Sequence, residues 1–145
     1  MLGLNEVMTK EEAKRLGGVI LAFVGDAVYS LYVRKKLVFS GDGKAADYQR
    51  TSSKIVCAGA QSAFLEKILP TFTDEEQEVY HRARNAKKGT KSKSASVADY
   101  NRSTGVEAVV GYLYLIGDTK RLDELFSQLD EQAFSVEKTA QKLKP

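Results

Sequence analysis

Apolar positions recur along this chain every three to four residues rather than every two, so helices are predicted nearly throughout and strands nowhere. Thr9-Lys-Glu-Glu12 has the form of a capping box and predicts a short helix that ends near Gly17 and Gly18. The most apolar stretch runs from Val19 to about Phe39. It contains Arg34, Lys35 and Lys36 near its end, where cations suit a helix C-terminus. Ser40-Gly-Asp-Gly43 is turn chemistry. A second long helix is predicted from Ala46 to Leu69, stopped by Pro70. Thr73-Asp-Glu-Glu76 is another capping box, opening a helix that carries Tyr80, Arg82 and Arg84. Ser96-Val-Ala-Asp99 starts a helix that runs through Ile116 to Gly117. From Asp118 to about Gln132, Leu122, Leu125, Phe126 and Leu129 share one side of a further helix. The expected fold is therefore all-α: one domain of five to six or more helices, with a core over about 16–131. Residues 132–145 are expected to form a loosely held tail, with a helical turn beginning at Ser135.

Composition narrows the class. A chain of 145 residues supports a single core, and a hydrophobic share of 43% excludes global disorder. The single cysteine, Cys57, excludes an intramolecular disulfide and a cysteine-cluster zinc site, which fits a reduced, cytoplasmic setting. Flanked by Ala58, Gly59 and Ala60, it reads as a small core residue on a helix. Asp26 interrupts the longest apolar run, so no membrane span is expected, and the acidic start (Glu6, Glu11, Glu12) does not have the form of a signal peptide.

Charge adds a partner. Between His81 and Ser94 lie Arg82, Arg84, Lys87, Lys88, Lys91 and Lys93 with no acid among them. The net charge is +3, so without these six the remainder of the chain carries −3. Positive potential gathered on one segment is what docks a polyanion. The plainer reading of such a run is a solvated lysine-rich loop.

Two acids stand where helix packing disfavours them. Asp26 lies in Val19-Ile-Leu-Ala-Phe-Val-Gly-Asp-Ala-Val-Tyr-Ser-Leu-Tyr-Val33, apolar almost all round and so expected to be buried on most faces. A buried carboxylate costs several kcal/mol unless it is neutralised or holds a cation. Gly25 beside it is expected to leave room for a close approach to the acid. Glu107 repeats the pattern between Gly105 and Gly111, with Ser103 and Thr104 on its face. Each acid alone reads equally well as structural; two on two apolar helices favour a site. Carboxylates with room for water suit Mg²⁺ or Mn²⁺ rather than zinc. The lone histidine, His81, sits among arginines and reads as a surface or phosphate-contacting residue. Acids, an ion and a basic groove together point to metal-assisted phosphodiester hydrolysis.

Leu21-Ala-Phe-Val-Gly-Asp-Ala-Val28 resembles the signature helix of ribonuclease III, and Glu107-Ala-Val-Val-Gly-Tyr-Leu-Tyr-Leu115 is similar to its second catalytic helix. Asp47 through Gln61, Arg82-Ala-Arg-Asn-Ala-Lys87, Gly89-Thr90, Tyr100 and Ser103-Thr104 extend the likeness in order, from about Leu16 to Leu129. The nearest resemblance is to the Mini-ribonuclease III family, a ribonuclease III catalytic domain without the double-stranded-RNA-binding domain. The resemblance implies an all-α homodimer that cuts both strands of double-stranded RNA with Mg²⁺, or Mn²⁺ as a substitute, leaving 5′-phosphates and 3′-hydroxyls. It further implies maturation of precursor large-subunit (23S) ribosomal RNA and leaves room for a ribosomal protein that presents the substrate. It makes Asp26 and Glu107 the catalytic metal ligands and places Phe23 at the dimer interface. Arg50, Lys54, Arg82, Arg84, Asn85, Lys87, Lys88 and Thr90 become the RNA-contacting set. The chain departs from full-length ribonuclease III at Val19, Ala22 and Thr104, where that enzyme carries acids, and from the short family at Gln49, often a histidine there.

Two rivals follow from the same residues. A non-catalytic double-stranded-RNA-binding or ribosome-associated dimeric module on this scaffold would explain the missing acids but not the two retained ones. A metal-dependent hydrolase of small phosphorylated molecules has no use for six cations in fourteen residues.

Overall fold

The structure is a computed structural model that describes residues 2–88 and 96–136. Seven α-helices and two short 3-10 turns account for the regular structure among them, and no strand occurs. In chain order the helices are α1 (Lys10–Lys14), α2 (Gly18–Ser40), α3 (Ala45–Val56), α4 (Ala58–Ile68), α5 (Asp74–Arg84), α6 (Val97–Leu115) and α7 (Thr119–Phe126).

The two predicted capping boxes form. Thr9 and Glu12 exchange side-chain-to-backbone bonds at the start of α1, and Thr73 and Glu76 do so at α5. Ser96 Oγ accepts from the Asp99 amide at α6. Helix α6 stops at Leu115 with Ile116 as C-cap, and Gly117 adopts φ +79. The Asp118 and Gly117 amides then reach back to the Leu113 and Tyr114 carbonyls, a Schellman ending that needs glycine at the left-handed position.

Three predicted elements differ. The helix expected from Ala46 to Leu69 is two helices, because Cys57 is extended (φ −66, ψ 157) and is at once the C-cap of α3 and the N-cap of α4. Cys57 is accordingly exposed, not a core residue. Helix α7 ends at Phe126, and a 3-10 turn over Glu131–Phe134 follows where the helix was expected to run to Gln132. That turn buries Phe134 under Lys36, whose Nζ lies 4.4 Å from the ring centroid and 2.5 Å from Glu131 Oε1. Packing thus extends past residue 131, and Ser135 is extended rather than the start of a turn. Residues 137–145 of the expected tail lie outside the described residues.

Helix α6 is the centre: α2, α4, α5 and α7 all pack on it. Its contact with α2 is backbone to backbone. A Cβ on Gly25 would stand 1.6 Å from the Glu107 carbonyl oxygen, and one on Gly111 would stand 2.0 Å from that of Leu21. The two glycines therefore serve the crossing of α2 and α6 itself. Aromatic residues fill the space beside the crossing, with Tyr29 edge-on to Phe64 and Phe126 at 6.0 and 5.7 Å.

One buried ion pair ties α7 to α5. Arg121 Nε and Nη2 each donate at 2.8 Å to Glu76, which is 3% exposed, and Nη2 also donates to the Thr71 carbonyl. Arg121→Ala should cost about 3 kcal/mol, because it strands a buried carboxylate. Urea denaturation measures this; an unchanged midpoint would show the pair to be dispensable.

Candidate active site

The glycine crossing decides where the two acids fall. Asp26 follows Gly25, and Glu107 supplies the carbonyl against which Gly25 rests, so both side chains emerge at one point. They line an open cavity of about 800 Å³, together with Phe23, Gln61, Lys88 and Thr104 among others. Asp26 is exposed and Glu107 half-buried, so Asp26 is not in the buried setting expected of it. The outer face of helix α2, with Val19, Ile20, Phe23 and Leu31 between 43% and 79% exposed, has no cover among the described residues.

The electrostatics of the pair follow from the geometry. Burial pushes the Glu107 carboxyl up to about 9, and a hydrogen bond to Asp26 and the Asp26 charge act in the same direction. Below that value the protonated Glu107 carboxyl is the hydrogen-bond donor and the Asp26 carboxylate the acceptor. The folded state holds this proton between pH 4.5 and about 9, where an unfolded glutamate has lost it. Its contribution to stability is full below pH 4.5 and is lost as pH rises toward 9. Thermal unfolding in EDTA should show a fall in Tm across that window, and Glu107→Gln should flatten it; parallel profiles would contradict the shared proton.

The donor set suits a divalent cation. Among the described residues no salt bridge engages either acid, and Lys88, on the cavity wall, donates instead to the carbonyls of Arg84 and Ala86 at 3.0 and 2.8 Å. No third acid, histidine or cysteine completes a cage among the described residues. Two carboxylates with open space before them match the preference of Mg²⁺ for a few protein oxygens with water and phosphate in the remaining positions. The hydroxyls of Ser103 and Thr104 donate to the Tyr100 carbonyl at 2.9 and 3.0 Å, leaving the acids to the cavity.

The basic set is spread over the surface. Among the described residues of that set, only Lys88 lines the cavity. Arg82 donates to the Lys14 carbonyl at 2.9 Å, Arg84 lies over the Tyr80 ring and donates to Asn85, and Lys87 is exposed. Arg50 is paired with buried Asp47 at 2.6 Å, and Lys54 borders a smaller groove between α3, α4 and the segment after α7. Thr90, Lys91 and Lys93 lie outside the described residues. Sequence reasoning missed the contribution of Cys57, Asp99 and Tyr100 to the cavity wall, and gave Gln61 no role. No spacing signal marks them, because only the break at Cys57 turns the start of α4 toward the acids.

Comparison with known proteins gives this geometry a family. The model of the ribonuclease III domain matches residues 20–118, which includes both acids. Mini-ribonuclease 3 of Symbiobacterium thermophilum is 46% identical over 72% of this chain and 81% of its own length. Mini-ribonuclease 3 of Streptococcus pneumoniae is 41% identical over 77% of this chain and 89% of its own. A crystal structure of a protein from Fusobacterium nucleatum superposes with a TM-score of 0.72 at 29% identity, covering 77% of this chain and 90% of that one. The chain belongs to the ribonuclease III family of endoribonucleases, in its Mini-ribonuclease 3 branch.

Proposed function

We propose that this chain works in the cytoplasm as a homodimer that hydrolyses both strands of double-stranded RNA in the presence of Mg²⁺, with Mn²⁺ as a substitute. The observation that carries this reading is the adjacent, uncompensated pair of Asp26 and Glu107 in an open cavity of a ribonuclease III family member. A cation bound there supplies the charge that polarises a phosphodiester and lowers the pKa of the attacking water. Asp26 and Glu107 would hold it, and Glu107 would do so as the carboxylate. The α2–α6 crossing fixes the spacing of the two carboxylates, so little reorganisation is needed when substrate arrives. Arg50, Lys54, Arg82, Arg84, Asn85, Lys87, Lys88 and Thr90 contact phosphates and 2′-hydroxyls, reading A-form shape more than base identity. Trimming of precursor 23S ribosomal RNA, with or without a ribosomal protein that presents it, follows from the family likeness.

The second copy is supported by the uncovered face of α2. A contiguous apolar surface on one helix marks an interaction site, and two-fold pairing would set one cavity against each strand. Phe23, 79% exposed, sits at the junction of that face and the cavity. Phe23→Glu should therefore yield a well-folded monomer that has lost duplex cleavage. Light scattering after gel filtration measures the mass; a dimer of unchanged affinity would place the interface elsewhere. The reading as a whole is tested by offering duplex RNA, its separate strands and duplex DNA of the same sequence with Mg²⁺. Cleavage of duplex RNA to 5′-phosphate and 3′-hydroxyl ends is expected. Binding without cleavage in Mg²⁺ and Mn²⁺ overturns the proposal in favour of a binding module.

A further inference from the structure

The N-terminus of α4 opens into the same cavity as the two acids. Cys57, Ala58 and Gly59 line it, and the Cys57 side chain makes no capping bond; its thiol turns back to the Lys54 carbonyl at 3.4 Å. The first amide of this end with an intrahelical acceptor is that of Gln61, bonded to the Cys57 carbonyl at 3.0 Å. The amides of residues 58–60 have none, since the first turn of any α-helix lacks acceptors. Eleven residues of aligned peptide dipoles stand behind that end.

A second observation at the same place concerns Gln61. The residue is only 2% exposed, yet it lines the cavity; among the described residues no hydrogen bond engages its carboxamide, which is not sealed off but reached from the cavity. Buried amides are almost always paired, so an unpaired one facing a cavity calls for a ligand. The Tyr29 hydroxyl, within the electrostatic reach of both Glu107 and Cys57, is fully buried and also lacks a partner. The Gln61 carboxamide and the free amides at the start of α4 thus meet on the wall of the same cavity that holds the two acids.

We propose that the α4 N-terminus and the Gln61 carboxamide form a phosphate subsite that holds an RNA phosphodiester against the Asp26–Glu107 pair. Backbone amides at a helix start accept phosphate oxygens, and Gln61 Nε2 adds a side-chain donor to the same anion. Gln61 is then a positioning residue, and the subsite makes up in part for the basic residues that point away from the cavity. The inference rests on the duplex-RNA reading and names the part of the substrate that this wall receives.

The test uses a variant that separates binding from folding. A Cβ on Gly59 meets nothing within 4 Å, so Gly59→Asp fits, and an acid in the first turn stabilises a helix while repelling a phosphate. Affinity for an RNA duplex is measured in EDTA, where no cleavage occurs, for wild type, Gly59→Asp, Gln61→Leu and the remote charge control Gln128→Glu. Gly59→Asp and Gln61→Leu should each bind at least about tenfold more weakly, the size of one lost hydrogen bond to a charged group. Gly59→Asp should keep or raise the wild-type Tm, Gln128→Glu should bind as wild type, and the amide resonances of residues 58–60 should shift when the duplex is added. Should Gln61→Leu fail to fold, Gly59→Asp decides alone. Wild-type affinity in Gly59→Asp with unmoved amides, in a protein that still cleaves duplex RNA, overturns the subsite and leaves the enzyme reading standing. A wild type that does not bind duplex RNA at all removes both.

Discussion

Gly25→Ala is expected to destabilise the protein by about 3 kcal/mol or more, enough to leave much of it unfolded at physiological temperature. The added methyl group would stand 1.6 Å from the Glu107 carbonyl oxygen and 2.8 Å from the Gly111 amide nitrogen. Both are backbone atoms of a central helix, so no rotamer change relieves the overlap. Helices α2 and α6 would have to part along their length, loosening buried contacts on both sides. The same movement would separate Asp26 from Glu107, so any folded fraction should also cleave poorly. Gly59→Ala is the contrast: its Cβ meets open space on an exposed helix start, and stability should be unchanged or rise by up to about 1 kcal/mol. Denaturant titrations of the two variants decide the matter. A Gly25→Ala protein with the wild-type midpoint would show that the helices do not cross at that distance.

Asp26→Asn and Glu107→Gln are both expected to remove activity, and Glu107→Gln to raise stability at the same time. Each should reduce duplex cleavage by more than about a hundredfold, beyond what changes outside the metal ligands usually cost. Without metal at pH 8, Glu107→Gln should be more stable than wild type, because it removes a half-buried acid beside Asp26 whose ionisation the fold resists. A site held at some expense of stability is the usual signature of function. Loss of both activity and stability would instead mark these acids as structural.

Much of the frame is legible in the chain because local rules and tertiary packing agree. The Thr9 and Thr73 capping boxes, the Ser96 cap and the Leu122–Leu129 stripe all place helices through contacts a few residues long. Where a feature depends on distant elements, the pattern falls short. Nothing in Ile55-Val-Cys-Ala58 marks a break; what distinguishes Cys57 is its extended backbone between two helices that turn. The apolar outer face of α2 reads as buried, and hydrophobicity cannot say whether the cover is the same chain or another. Asp26 and Glu107 were recognisable as misfits, but only the crossing explains their adjacency: Gly25 serves the helix pair and brings in the acid beside it. The basic residues were visible as a cluster in sequence, whereas their directions are set by local partners such as the Lys14 and Arg84 carbonyls.

The most direct measurement is single-turnover cleavage of a perfect RNA duplex in Mg²⁺ by wild type and Asp26→Asn, with duplex binding recorded on the same samples. Cleavage by wild type, and undiminished binding without cleavage by Asp26→Asn, is the result expected if the paired carboxylates carry the chemistry. Equal cleavage by both proteins, or none by either, would contradict it.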